Sequence, residues 1–195
     1  MRWGTEEQVP LVKGLVQAYT GDGKGKTTAA LGLALRAIGH GLRVCFIQFM
    51  KGQFESGERK AAERLSPELE IRCFASDKCG DASKAPSGTP WWKLPPSDED
   101  RAKAQEGLAF AQEAVASGRY DIVVLDEVFS ALRRELIALE QVMELLRSKP
   151  EHVELVLTGR DAPPEVLGAT DLVTEMRAVK HPYERGVRAR KGIEY

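Results

Sequence analysis

The segment Gly21-Asp22-Gly23-Lys24-Gly25-Lys26-Thr27-Thr28 constrains this chain more than any other. It follows a short apolar run, Leu15 to Tyr19, and opens a stretch of good helix formers, Thr27 to Ile38. A strand that turns through spaced glycines into a helix brings several backbone N–H groups to one point, where they cradle an anion. Glycine at positions 21, 23 and 25 keeps side chains out of that approach. At a general abundance of about 7%, glycine fills three chosen positions by chance roughly once in 3,000 trials, which weighs against a turn with no ligand. The helix dipole contributes only about 0.3–1 kcal/mol in exposed settings, so a triphosphate needs further charge. Lys26 provides an ammonium and Thr27 a hydroxyl ligand for Mg²⁺. The usual form of this loop has a glycine five places before Gly25, where this chain has Thr20, so the loop is a variant.

A second anchor lies at Ile122-Val123-Val124-Leu125 followed by Asp126-Glu127. An unbroken apolar run reads as a strand buried on both faces, and acids at its carboxyl end sit at the edge where open α/β sheets bind ligands. Asp126 suits a water-mediated Mg²⁺ contact, and Glu127 either binds the metal or polarises an attacking group. The alternative is that the two acids simply begin the next helix, which acids favour. Up to this point ATPase, phosphotransferase and nucleotide-gated binding protein stand equally, because a cradle does not name its reaction.

Six strand candidates alternate with helical segments: Leu15 to Tyr19, Arg43 to Phe49, Glu70 to Phe74, Asp121 to Leu125, Val153 to Thr158, and Asp171 to Glu175 with its continuation. That alternation predicts a three-layer α/β fold of the P-loop, RecA-like type, with a mainly parallel six-stranded sheet in one domain over 1–195. Further helices are expected over Glu58 to Leu65, from a Ser97 cap with Asp100 three residues on as far as Ala116, and over Leu136 to Arg147 after a short Phe129 to Arg134 segment. Ala75 to Pro96, rich in Pro, Gly, Ser and Lys, is longer than an ordinary connection and reads as a lid or as disorder.

Lys plus Arg number 28 and Asp plus Glu 29, so no strong net field draws the chain to nucleic acid or a membrane. No apolar stretch approaches the length of a span, and no signal-peptide pattern opens the chain, which points to the cytoplasm. Three cysteines make a sparse, odd set, with Cys45 expected as a buried thiol, and no His or Cys pair has zinc spacing. Arg160 and His181, each just past a strand, are candidates for nucleotide contact; surface and structural roles are the plain alternatives. The basic stretch Lys180 to Tyr195 reads as a solvated tail.

Taken together, Thr20 to Ala30, Gln48-Phe49-Met50-Lys51-Gly52, Gly57-Glu58-Arg59, Val123 to Glu127, Leu157-Thr158-Gly159-Arg160, Val179-Lys180-His181 and Lys191-Gly192-Ile193-Glu194-Tyr195 resemble the P-loop type of corrinoid adenosyltransferase. The resemblance spans nearly the whole chain and includes the variant loop. It implies transfer of the 5′-deoxyadenosyl group of ATP to cobalt(I) of a reduced corrinoid, with release of tripolyphosphate. ATP would lie with its γ-phosphate where other such loops hold an inner one, exposing C5′. Lys26, Lys24 and the loop from Gly21 through Asp22 to Thr28 would hold the tripolyphosphate, with Mg²⁺ near Thr27, Asp126 and Glu127. Trp91 and Trp92 are the candidates, by type and place, for the aromatic residues that the family sets against the corrin; a local cluster pinning the loop is the alternative. The resemblance further implies a homodimer, and a reductase or flavoprotein is the candidate electron donor.

Overall fold

The computed structural model describes residues 11–52, 56–77, 79, 94–187 and 189–194. Its strands are β1 (Val16–Thr20), β2 (Val44–Phe49), β3 (Leu69–Phe74), β4 (Ile122–Asp126), β5 (Glu154–Thr158) and β6 (Leu172–Glu175). The first five lie within one residue of their expected bounds, whereas β6 stops at Glu175 and residues 176–180, expected to continue it, leave the sheet. They form one sheet in the order β3-β2-β4-β5-β1-β6, and every pairing is parallel.

The unbroken apolar runs have a direct cause. Successive side chains on a strand point to opposite faces, and both faces are covered over the inner strands β1, β2, β4 and β5, whereas the edge strand β6 is exposed along its length. Val44 and Phe46 of β2, Ile122 and Val124 of β4 and Val156 of β5 meet one face's cover, α1 (Lys26–Ile38) and α2 (Gly57–Arg64), through Ala30, Ala34, Ala37 and Ala62. Cys45, Ile47, Phe49, Val123, Leu125, Leu155 and Leu157 form the second core with α3 (Asp98–Ala116), α4 (Val128–Arg133) and α5 (Leu139–Ser148). The fold is therefore a three-layer α/β sandwich. Cys45 is fully buried as expected, and burial pushes its thiol up to about 12, so no thiolate forms near neutral pH.

The expected cap of α3 is present. Ser97 Oγ accepts from Asp100 N at 3.2 Å and Asp100 Oδ2 accepts from Ser97 N at 2.8 Å, which satisfies two backbone donors reciprocally. The helix expected from Leu136 starts later, at Leu139, because Leu136 and Ile137 are drawn into the core and Ala138 is extended, its N–H held by Gln141. A five-residue helix, α6 (Pro164–Gly168), was not expected; one turn is too short to show a 3.6-residue period. Most of 75–96, Trp91 and Trp92 included, lies outside the described residues; its entry is tied down where Cys79 Sγ donates to Met50 O at 2.7 Å.

Because all strands run the same way, their carboxyl ends share one edge, and β5 stands between β1 and β4. That order places Thr20, Asp126 and Thr158 at neighbouring strand ends, beneath the loop that enters α1.

Candidate active site

The loop 21–25 leaves β1 and delivers Lys26 as the first residue of α1. Thr20, standing where a further glycine is usual, is the last residue of the strand, and its Oγ1 accepts from Ala162 N at 3.3 Å. Gly21 at φ 93° and Gly25 at φ 121° adopt backbone conformations that side chains rarely tolerate. Packing is a second reason for two of the glycines. A Cβ at Gly21 would stand 2.5 Å from Met176 O, and one at Gly23 would stand 2.7 Å from the same atom and 2.8 Å from Arg177 C. Gly23 N donates to Met176 O at 2.7 Å, and Asp22 Oδ1 accepts from Ala178 N at 3.3 Å. The chain leaving β6 thus buttresses the back of the loop.

In front of it opens a cleft of about 470 Å³. Residues 23–28 line it with Lys51, Glu58, Glu127, Arg160 and His181. Of the candidates from sequence, Gly23, Lys24, Gly25, Lys26, Thr27, Thr28, Glu127, Arg160 and His181 are brought together there, while Gly21 and Asp22 stand behind the loop. Asp126 lies fully buried under the floor. His181 also caps a 3-10 turn, Pro182–Arg185, its Nδ1 accepting from Tyr183 N at 3.2 Å.

Lys26 is folded back over the loop, donating to Gly21 O at 2.6 Å and Gly23 O at 2.8 Å. Burial lowers its pKa, and Arg160 adds to the fall against the pull of Glu127, Asp22 and Asp126. An ammonium so placed gains from any anion that enters the cleft. Lys24 Nζ donates to Ile193 O at 3.3 Å, and Gly192, Ile193 and Glu194 line one wall. The terminal stretch is solvated as expected, yet it also borders the site, a placement that depends on this long-range contact.

Asp126 anchors the floor. Its Oδ1 accepts from Thr27 Oγ1 at 2.9 Å and from Thr158 Oγ1 at 2.6 Å, and its Oδ2 pairs with Lys51 Nζ at 2.7 Å. Thr158 Oγ1 in turn accepts from Glu127 N at 3.0 Å, and Ser130 Oγ donates to Glu127 Oε2. Glu127 takes a left-handed backbone at φ 62°, which these contacts support. The acids do more than begin a helix: one is a buried hub and the other lines the cleft. The neighbouring Thr27 hydroxyl and Asp126 carboxylate are hard oxygen donors that fit Mg²⁺, with Glu127 beside them. Among the described residues no group of three or more His, Cys, Asp and Glu side chains makes a metal cage.

Sequence reasoning assigned no role to Lys51 or Thr158, though both fall in the segments that carried the resemblance. The available signal was position, since each lies at or just past the carboxyl end of a strand on the ligand edge. Replacing Thr158 with Val keeps its volume but strips the partner from Glu127 N–H and a donor from Asp126. The expected cost is about 1–3 kcal/mol in denaturant unfolding, with reduced turnover; Thr158→Ser should recover most of both.

A glycine-spaced strand-to-helix loop with a buried lysine, a following threonine and a strand-end aspartate beneath them defines a P-loop nucleotide-binding protein of the α/β class. The sequence profile of the ATP:corrinoid adenosyltransferase BtuR/CobO/CobP family matches residues 12–195, and the chain belongs to that family. Its activity is accordingly that of an ATP:corrinoid adenosyltransferase. The chain is 32% identical to a corrinoid adenosyltransferase of Pseudomonas aeruginosa over 94% of its length and 84% of the relative's. A corrinoid adenosyltransferase of Escherichia coli is 33% identical, with 94% and 86% covered. Among solved structures, a KaiC-like protein of Pyrococcus horikoshii aligns at a TM-score of 0.48 and 18% identity, covering 84% of this chain and 73% of that one.

Proposed function

We propose that the cleft binds the triphosphate of ATP so that C5′ of the ribose faces a reduced corrinoid, and that the protein acts by positioning ATP and stabilising the tripolyphosphate leaving group. Cobalt(I) of the substrate supplies the electron pair for the new cobalt–carbon bond. The C5′–O bond breaks, and its electrons leave with tripolyphosphate. No side-chain nucleophile is needed, in keeping with thiols whose pKa values burial raises.

Each group in the cleft has a task. Lys26, released from its two loop carbonyls, and Lys24 neutralise charge that grows on the departing oxygens, where fixed donors act most strongly. Loop amides of Gly25 to Thr28 and the α1 N-terminus add oriented dipoles. Thr27 and Asp126, with Glu127 beside them, would hold Mg²⁺, which when bound offsets polyphosphate charge. Arg160 and His181 complete the wall and are assigned to phosphate or ribose. Trp91 and Trp92 are assigned to the corrin side. The observation that carries the reading is the convergence of Lys26, Thr27 and Asp126 under one cleft in a chain of this family.

The remaining assignments are a homodimer in the cytoplasm, supplied with electrons by a reductase or flavoprotein. No described helix is long and apolar enough to cross a membrane.

The test is a product assay. ATP, Mg²⁺ and chemically reduced corrinoid should give tripolyphosphate and the absorbance of a cobalt–carbon bond in equal amounts. Formation of ADP or free phosphate in their place would overturn the reading.

A further inference from the structure

Lys51 is the cleft residue that the phosphate cradle does not account for. It stands just past the end of β2, after Met50 at φ 55°, and its side chain is 30% exposed. Its ammonium lies 2.7 Å from Asp126 Oδ2 and 3.3 Å from Thr27 Oγ1, so it touches both groups that suit a divalent ion. Glu58 Oε1, at the start of α2, is 3.9 Å away.

We infer that Lys51 is a placeholder cation: it occupies the Asp126 and Thr27 pair while no nucleotide is bound, and moves to the polyphosphate when the divalent ion arrives. The inference rests on the proposed placement of Mg²⁺ at that pair.

Three considerations support the exchange. First, a divalent ion bonded to these oxygens would sit within a few ångströms of the ammonium, and two cations so close repel strongly away from bulk water. Both cannot keep these partners. Second, the move needs no backbone change, because a lysine ammonium rides on four rotatable carbons and Lys51 already borders the cleft. Third, Asp126 is buried without direct access to solvent, and although Thr27, Thr158 and Gln48 donate to it, these neutral donors leave its charge unbalanced, so a cation beside it lowers the cost of burial. Lys51 supplies that cation before binding, and the metal would supply it afterwards. A purely structural ion pair would instead stay in place through the binding cycle.

The experiment uses the full chain without corrinoid and takes Mn²⁺ as the probe, with free Mn²⁺ read by electron paramagnetic resonance. Lys51→Gln and Lys51→Met remove the competing charge and leave Asp126 its donors Thr27, Thr158 and Gln48. Each variant is expected to bind Mn²⁺ alone about tenfold or more tightly than the parent, and tripolyphosphate in the presence of Mg²⁺ about tenfold or more weakly. Lys51→Arg, which keeps the charge, should return Mn²⁺ affinity towards the parent value. Mn²⁺ binding equal to or weaker than the parent's in both neutral variants would overturn the proposal, and so would unchanged tripolyphosphate affinity. Neither result bears on the product assay, so the two readings fail separately.

Discussion

Lys26→Ala is expected to lower affinity for tripolyphosphate by about 100-fold or more, and turnover with it, while leaving the thermal midpoint close to the parent's. The two halves of that expectation come from one geometry. The ammonium donates to Gly21 O and Gly23 O, carbonyls of a loop at the cleft surface where water can take its place. Burial holds its pKa below the ordinary lysine value. At neutral pH, below both the folded and the unfolded pKa, a lowered value means that the folded state holds the proton less well than the unfolded chain, which is a cost to folding. The unfavourable contribution fades as pH rises through the folded value towards the unfolded one. Removing the charge therefore forfeits little stability. Binding reverses the sign, because a phosphate beside the ammonium favours its charged form. Affinity should then decline as pH rises through the lowered Lys26 value, earlier than for an ordinary lysine, and proton uptake should accompany binding there. Calorimetry in buffers of different ionisation enthalpy measures that uptake. A tripolyphosphate affinity for Lys26→Ala equal to the parent's would remove the basis of the proposed site.

Gly23→Ala is expected to damage the loop from behind. Its Cβ would meet Met176 O at 2.7 Å and Arg177 C at 2.8 Å, and both are backbone atoms of the segment leaving β6, which cannot rotate aside as a side chain does. Overpacking of this kind costs about 1–3 kcal/mol. For a chain of this size the midpoint should fall by roughly 2–4 °C per kcal/mol. The Gly23 N–H bond to Met176 O would stretch or break, and the loop would shift towards the cleft that it frames. Nucleotide affinity should fall as well, although no side chain has entered the phosphate site. Gly32→Ala is the matching control. Gly32 lies within α1, where an added Cβ would meet nothing within 4 Å, so alanine there should stabilise by about 0.5–1 kcal/mol without touching binding. Differential scanning calorimetry and a tripolyphosphate titration on the two variants separate a packing requirement from a general intolerance of α1 to substitution.

Much of this protein was legible in its sequence, and the reasons are local. The runs Val44 to Phe49 and Ile122 to Leu125 are apolar at nearly every position because both faces of the sheet are covered, a pattern that needs no knowledge of which helix covers which face. Ser97 and Asp100 marked the start of α3 because a capping box is made by residues three apart. The cradle was legible because its glycines, Lys26 and Thr27 are contiguous. Leu136 and Ile137 misled the helical reading, since they are apolar for the core and not for a helical stripe.

What only the tertiary structure decided concerns groups far apart in the chain. Gly23 and Met176 are a long way apart in sequence, so nothing near the loop announces that its glycines also make room for the exit from β6. Lys51, Thr27, Asp126 and Thr158 come from four separate segments, and they form one network because β5 is inserted between β1 and β4 while β2 flanks β4. Short-range pattern reports hydrogen bonds and burial that repeat within a turn or a strand. Strand order in a parallel sheet is set by how the connections cross its faces, and that order chose the partners of the buried aspartate.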